Sequence, residues 1–222
     1  MKKLLASIFA ATAVLASPVL AQPEVKPYSL DAMGCMRLRE CTEDVEEVSS
    51  LADIVDYYGD SRADFDSIYA EANSILKGLS DVGAKVYIAD ARYFPTDTRG
   101  LYYPDDNVLF LNAGRVVKPH VMINILRHEG WHAVQDCMAG TIDNSFLAVV
   151  FTDDNIPPYW KEATRRLYPA SVVPWEQEAK WVASEQGMVG PALQACQAGN
   201  MWEVYEPTPM TREWLEANGH IK

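Results

Sequence analysis

The feature that most constrains this chain is a pentapeptide, residues 128–132, which reads His-Glu-Gly-Trp-His. Two histidines four residues apart lie one above the other on the same face of an α-helix. The ring nitrogens of His128 and His132 can therefore bind one zinc ion. Glu129 can lie beside a zinc-bound water and take its proton. The chain has only four histidines, and two of them belong to this motif.

The flanking sequence predicts that the motif lies on a buried helix. Pro119 suits the first turn of a helix, and Gly140 suits a position just after its end. Between them the sequence is nearly apolar on all sides apart from the motif, which is typical of a buried helix. Unpaired polar groups are costly in such a place, so bound zinc is favoured over a chance occurrence of the motif.

The first 21 residues have the pattern of a secretory signal peptide. A basic start is followed by an apolar run from Leu4 to Leu15 and by small residues before Ala21. We predict cleavage after Ala21, a secreted or periplasmic mature chain, and no membrane span within it, because no later apolar stretch is long enough. The full chain carries a net charge of −12. A nucleic-acid partner is therefore not expected.

Four cysteines follow the predicted signal peptide, and export to an oxidising compartment favours disulfides between them. Four cysteines allow three pairings, of which we favour Cys35 with Cys41 and Cys137 with Cys196. The second bond would tie the end of the motif helix to the C-terminal region. A zinc site made of cysteines is the rival interpretation, but the close-spaced pairs that such sites use are absent.

The pattern of apolar residues predicts an α+β fold with one domain over residues 22–222. Residues 22–60 form a cysteine-containing N-terminal segment, residues 61–140 contain a helix, a small mostly antiparallel sheet and the motif helix, and residues 141–222 form a helical part. We predict one helix from a cap at Thr42 to about Tyr58 and a second after the capping signature 61–64. The predicted strands are 86–89, 101–103 and 108–111, and the later helices are 158–167, 175–186, 191–198 and 211–218.

The third zinc ligand is predicted to be a carboxylate on a later helix, because a catalytic zinc usually has three protein ligands and no third histidine follows at short spacing. Glu176 shares a helix face with Ala179 and Ala183, where small side chains would let another helix approach closely. Glu178 lies on the face of Trp181, whose bulk should hold a neighbour further away. We prefer Glu176 and keep Glu178 as the substitute.

With these residues the chain resembles the gluzincins, zinc metallopeptidases that combine His-Glu-x-x-His with a downstream glutamate. The sequence from Glu176 to Ala179 is similar to the Glu-x-x-Ala signature of the CAAX-prenyl zinc proteases and their small soluble relatives. The resemblance covers about residues 61–187 and implies a zincin-like fold for the domain. Those families often have Asp or Asn after the alanine, where this chain has Lys180.

The resemblance implies a peptide or protein substrate and a strand that binds it. In these families the strand nearest the cleft holds an extended substrate, which points here to Val108, Phe110 and Asn112. The implied activity is a secreted zinc-dependent metallopeptidase with Zn²⁺ as cofactor and Glu129 as general base. A zinc hydrolase of a non-protein amide, such as a cell-wall cross-link, and a non-catalytic binding protein on a zincin scaffold stay open as alternatives.

Two groups of residues near the motif receive no assigned role from the sequence. Gln135 and Asp136 could orient a ligand histidine, but we expect them to be exposed. A donor to the developing oxyanion is needed besides zinc. Tyr159, Tyr168 and Tyr205 lie in the right part of the chain, and the sequence does not choose between them.

Overall fold

The computed structural model describes residues 34–36, 38, 40–41, 43–59, 65–140 and 146–219. The predicted signal peptide and the caps predicted at Thr42 and at residues 61–64 lie outside these residues. The strands are β1 Val45–Glu47, β2 Lys85–Ala89, β3 Gly100–Tyr103 and β4 Val108–Asn112. The helices are α1 Leu51–Tyr58, α2 Tyr69–Asp81, α3 Pro119–Met138, α4 Pro158–Leu167, α5 Val173–Ser184, α6 Val189–Gln197, α7 Met201–Val204 and α8 Pro209–Ala217.

The α+β class predicted from the sequence is confirmed, but the first predicted helix is wrong in its first half. Residues 45–47 form β1, and α1 begins only at Leu51. A capping box fixes this start: the Ser50 hydroxyl accepts from Asp53 N, and the Asp53 carboxylate accepts from Ser50 N. Because the cap satisfies the free amides of α1 at this point, the preceding residues are released to pair with β2.

The sheet is mixed, with two antiparallel strand pairs and one parallel pair, and its strand order is β1-β2-β4-β3. β3 and β4 form the predicted antiparallel hairpin, which turns through Asn107 in the left-handed conformation with φ of 47°. β4 then pairs with β2 in parallel, while β1 adds to the far side of β2 in the antiparallel sense. The hairpin therefore leaves β3 at one edge of the sheet, against α3.

The expectation that β4 is the strand nearest the cleft is wrong. β4 is an interior strand whose backbone pairs with β2 on one side and with β3 on the other, and all five of its residues are buried. Val108 and Phe110 belong to a small apolar cluster. The amide of Asn112 binds within the fold, donating to Thr98 O and accepting from Gly114 N. An interior strand has no free edge to pair with a peptide.

The motif helix α3 runs through the interior, as its apolar sequence predicts. Pro119 occupies its first turn, and Gly140 follows its end with φ of +91°. α2, α5 and α6 pack around it, and β3 lies alongside. Both predicted disulfides are present, and the Cys137–Cys196 bond joins the end of α3 to α6. Within the described part of the chain, no helix is both long and apolar enough to cross a membrane.

Candidate metal centre

α3 presents the two motif histidines on the face that it turns toward α5. The ring centroids of His128 and His132 lie 4.9 Å apart, as expected for residues one helical turn apart. Both rings are largely buried. Burial lowers the pKa of His132, and the neighbouring His128 adds to this effect. The ring of His132 is therefore neutral at pH 7, which is the protonation state that a metal requires.

α5 brings Glu176 to the same place. Glu176 Oε2 lies 3.4 Å from His128 Nε2, and Glu176 Oε1 lies 3.7 Å from His132 Nε2. The candidate ligand atoms of all three residues lie within 4.8 Å of one another, a grouping that could hold a metal ion. Two imidazole nitrogens and one carboxylate oxygen form a donor set that zinc accepts in catalytic sites.

Small residues allow this approach, as the sequence predicts. Ala179 and Ala183 are buried on α5, and the contact between α5 and α3 is the most extensive between any two elements of the described chain. Asn124 Nδ2 of α3 donates to Ala183 O over 3.0 Å, which ties the end of α5 to the beginning of α3. The carbonyls in the last turn of a helix have no partner within it, and the carbonyl of Ala183 thus links α5 to α3.

The carboxylate of Glu176 is suited to a cation. Its Oε2 is buried and has no hydrogen-bond partner among the described residues. Burial by itself raises the pKa of Glu176, but His128, His132 and the Tyr168 hydroxyl outweigh burial and hold the pKa below its usual value. An ionised, buried and unsatisfied oxygen is costly unless something positive binds it. The donor set and this oxygen together fit a zinc ion.

Glu129 lies next to this group without joining it. Its carboxylate is buried and accepts a hydrogen bond from Tyr102 N of β3 over 3.0 Å. Burial raises the pKa of Glu129 to about 7, with a further contribution from Glu176, while His132 opposes the rise. Such an environment is typical of carboxylates that exchange protons.

Gly100 is the position that lets β3 approach Glu129 so closely. A Cβ atom there would lie 2.6 Å from Ile125 Cγ2, which is closer than real Cβ atoms come, and 3.0 Å from Glu129 Cγ, which is tight. Any other residue would therefore force β3 or the side chains of Ile125 and Glu129 to shift. The contact would then lose the Tyr102 N to Glu129 hydrogen bond.

Behind His132 lies a polar network that the sequence did not predict. Gln135 and Asp136 are fully buried rather than exposed. Gln135 Oε1 lies 2.7 Å from His132 Nδ1, and Gln135 Nε2 donates to Glu178 Oε2 over 2.5 Å. This arrangement holds the His132 ring so that its Nε2 faces Glu176. The signal in the sequence is the spacing of three between His132 and Gln135, which places the two side chains on adjacent turns of one face.

The substitute ligand Glu178 is therefore not part of the metal group. It is completely buried, and its oxygens also accept from Val150 N and Phe151 N. The reasoning that Trp181 would hold α3 away from Glu178 is wrong, because Glu178 contacts Gln135 of α3 directly. Glu176 and Glu178 both point toward α3, and Glu178 is the more deeply buried of the two.

An open cavity of about 820 Å³ contains the candidate ligands and Glu129. Residues 96–102 form one wall, and residues of α5 form another. Of the three tyrosines considered from the sequence, Tyr168 lines the cavity, and its hydroxyl interacts with Glu176. Tyr159 is largely exposed, and Tyr205 packs against Trp131 and Phe151.

Comparisons with known proteins add no information about this centre. The chain matches no protein-family model, and no curated protein or solved structure is significantly similar to it.

Proposed function

We propose that this protein is a secreted zinc-dependent metallopeptidase. The observation that carries the proposal is the placement of Glu129, a buried carboxylate held beside a His-His-Glu group inside one open cavity. A purely structural zinc site is closed by four protein ligands and has no use for a neighbouring base. Here three donors converge, and the space beside them is open to a substrate.

In this proposal His128, His132 and Glu176 hold the zinc ion. Bound zinc supplies Lewis-acid chemistry, polarising a carbonyl oxygen and making water a nucleophile at neutral pH. Glu129 takes the proton from the attacking water and delivers it to the leaving amine. The hydrogen bond from Tyr102 N fixes the Glu129 carboxylate in position for both transfers. The Gln135 amide keeps the His132 ring oriented.

Tyr168 is the tyrosine that we assign to stabilising the developing oxyanion. It lines the cavity, and its hydroxyl lies close enough to Glu176 to interact with it. Burial raises the pKa of Tyr168 above its usual value, so the hydroxyl stays protonated and can donate. Loss of one such donor typically costs about 10²-fold or more in kcat. We expect Tyr168→Phe to lower kcat by this amount, in peptide-hydrolysis kinetics, while zinc content is unchanged.

Export is part of the proposal. The predicted signal peptide would direct the chain out of the cytoplasm, and disulfides persist in the oxidising compartments that lie there. The two disulfides are compatible with that location.

The test combines metal analysis with hydrolysis by the purified mature protein. We expect one zinc per chain, cleavage of casein or of a mixed peptide library, and loss of cleavage in Glu129→Gln with zinc retained. Glu216→Gln, an exposed change on α8, serves as the matched control and should behave as wild type. Near wild-type hydrolysis by Glu129→Gln would remove Glu129 from the mechanism. Cleavage of peptidoglycan amides without cleavage of peptides would replace the peptidase assignment by the non-protein alternative.

A further inference from the structure

Two positively charged residues line the cavity and form no ion pair with a described Asp or Glu. Most of the Lys and Arg side chains in the described part of the chain form ion pairs with Asp or Glu. Arg99 and Lys180 line the cavity but form none with any described residue. The chain as a whole is strongly acidic, with 31 Asp and Glu against 19 Lys and Arg. Two cationic residues that line one cavity and lack ion pairs among the described residues are therefore unexpected in a chain of this net charge.

Lys180 is placed beside the candidate metal group by α5, the helix that carries Glu176. It follows Glu176 by four residues on α5, so both side chains lie on the same face. Its Nζ lies 5.2 Å from the centroid of the Tyr168 ring, a cation–π distance that holds the ammonium within the cavity. Glu129 and Glu176 line the same cavity as Lys180. The ammonium group is therefore close to where bonds would be broken.

No ion pair with a described residue accounts for a charge at this position. Lys180 is only half-buried, so its ammonium could have turned to bulk water. The ammonium instead lies beside an aromatic ring in a cavity where a divalent cation would repel it. Arg99, from the segment that enters β3, approaches the same cavity from the other wall. Two cations from different elements in one cleft attract and orient anionic groups of a ligand.

We propose that Lys180, assisted by Arg99, forms a carboxylate-binding subsite that makes this enzyme prefer acidic peptides. The substrate carboxylate is either an Asp or Glu side chain near the scissile bond or the free C-terminus of the peptide. The inference rests on the proposed function for the identity of the ligand as a peptide. It adds a substrate class to that function. It also gives a role to Lys180, which stands where the families that the chain resembles often have Asp or Asn.

The experiment measures binding, so that it does not depend on turnover. Fluorescent peptides of one neutral sequence carry Glu or Gln at each position in turn and end in either an acid or an amide. Their Kd values are measured by anisotropy on zinc-loaded Glu129→Gln protein with Lys180, Lys180→Met or Lys180→Glu. We expect at least one acidic peptide to bind about tenfold more tightly than its neutral partner, as for a hydrogen bond to a charged group. The Glu/Gln arm and the acid/amide arm identify the source of the carboxylate.

Lys180→Met should abolish this preference, and Lys180→Glu should reverse it, while the neutral peptides bind as before. Lys118→Met is the matched control, because Lys118 is also a cation without an ion pair among the described residues but does not line the cavity. An acidic preference that persists in Lys180→Met, or that is absent with Lys180 in place, overturns the subsite. Failure of the wild-type enzyme to cleave any peptide would instead count against the proposed function, and the binding ratios would still decide on the subsite.

Discussion

Two neighbouring regions of the contact between α3 and α5 each contain a buried glutamate, and they differ in whether the carboxylate oxygens accept hydrogen bonds. Around Glu178 both oxygens are bonded: Oε2 accepts from Gln135 Nε2 and Val150 N, and Oε1 accepts from Phe151 N. Around Glu176 the Oε2 atom faces His128 Nε2 and has no hydrogen-bond partner within the described chain. The hydrogen bonds of the Glu178 carboxylate are therefore complete without a ligand, whereas those of the Glu176 carboxylate are not.

This difference teaches how to distinguish a structural carboxylate from a ligand when two lie on one helix. When all the oxygens of a buried carboxylate accept hydrogen bonds within the fold, removing the side chain leaves those donors unsatisfied. A buried carboxylate with an open oxygen between two imidazoles keeps an acceptor that a cation can occupy. We therefore expect Glu178 to contribute mainly to folding and Glu176 mainly to metal affinity, and the two variants should separate these effects.

The largest effect is expected on zinc affinity in Glu176→Ala. Loss of a directly bound carboxylate should weaken zinc binding by more than the ~100-fold upper range that is typical of residues behind the ligands. The metal-free protein should lose less unfolding free energy than it does in Glu178→Ala, because Glu176 Oε2 accepts no hydrogen bond within the described chain. Competitive titration against a chelator measures the first quantity, with Glu185→Ala at the exposed end of α5 as the control. Wild-type zinc affinity in Glu176→Ala would end the comparison and the metal assignment.

The reverse result is expected for Glu178→Ala. The change leaves three donors without an acceptor, namely Gln135 Nε2, Val150 N and Phe151 N. Each unsatisfied buried group costs about 1–3 kcal/mol, so the metal-free protein should lose about 3 kcal/mol or more of unfolding free energy. Urea denaturation with zinc removed measures this loss without the contribution of bound metal. Unchanged stability would show that Glu178 is not the structural member of the pair.

A smaller effect is expected in Gln135→Met, which connects the two regions. Methionine keeps the shape of the side chain but cannot accept from His132 Nδ1 or donate to Glu178. Zinc affinity should fall about tenfold, the lower end of the range for residues that orient a ligand histidine. Chelator titration measures the change, and Gln135→Glu, which can still accept from His132, should restore part of the affinity. No difference between the methionine and glutamate variants would argue that Gln135 does not orient the ring.

The sequence predicted well those parts of the centre that depend on one helix. The spacing of His128 and His132 fixes their relative position as soon as α3 forms, because side chains four residues apart share a face. The same rule placed Glu176 with Ala179 and Ala183, and the structure packs this face against α3. Pro119 and Gly140 marked the ends of α3 for equally local reasons.

The sequence failed where the answer depended on which elements become neighbours. The strand beside the cleft is β3 rather than β4, because the hairpin enters the sheet with β4 inward. The residues of a hairpin do not by themselves determine which of its two strands pairs with a third strand that is distant in sequence. The strand β1 was missed for the same reason, since its partner β2 lies about 40 residues later.

The sequence alone thus determined a helix with two histidines and a neighbouring glutamate, and it favoured Glu176 over Glu178 and one of the three cysteine pairings. Only the tertiary structure decided that Glu178 bonds within the fold, that Gln135 holds His132, and that Tyr102 of β3 donates to Glu129. The physical reason is the range of the interactions involved. Helix periodicity is set by bonds along the chain, whereas the partners of a buried polar group are set by packing between elements distant in sequence.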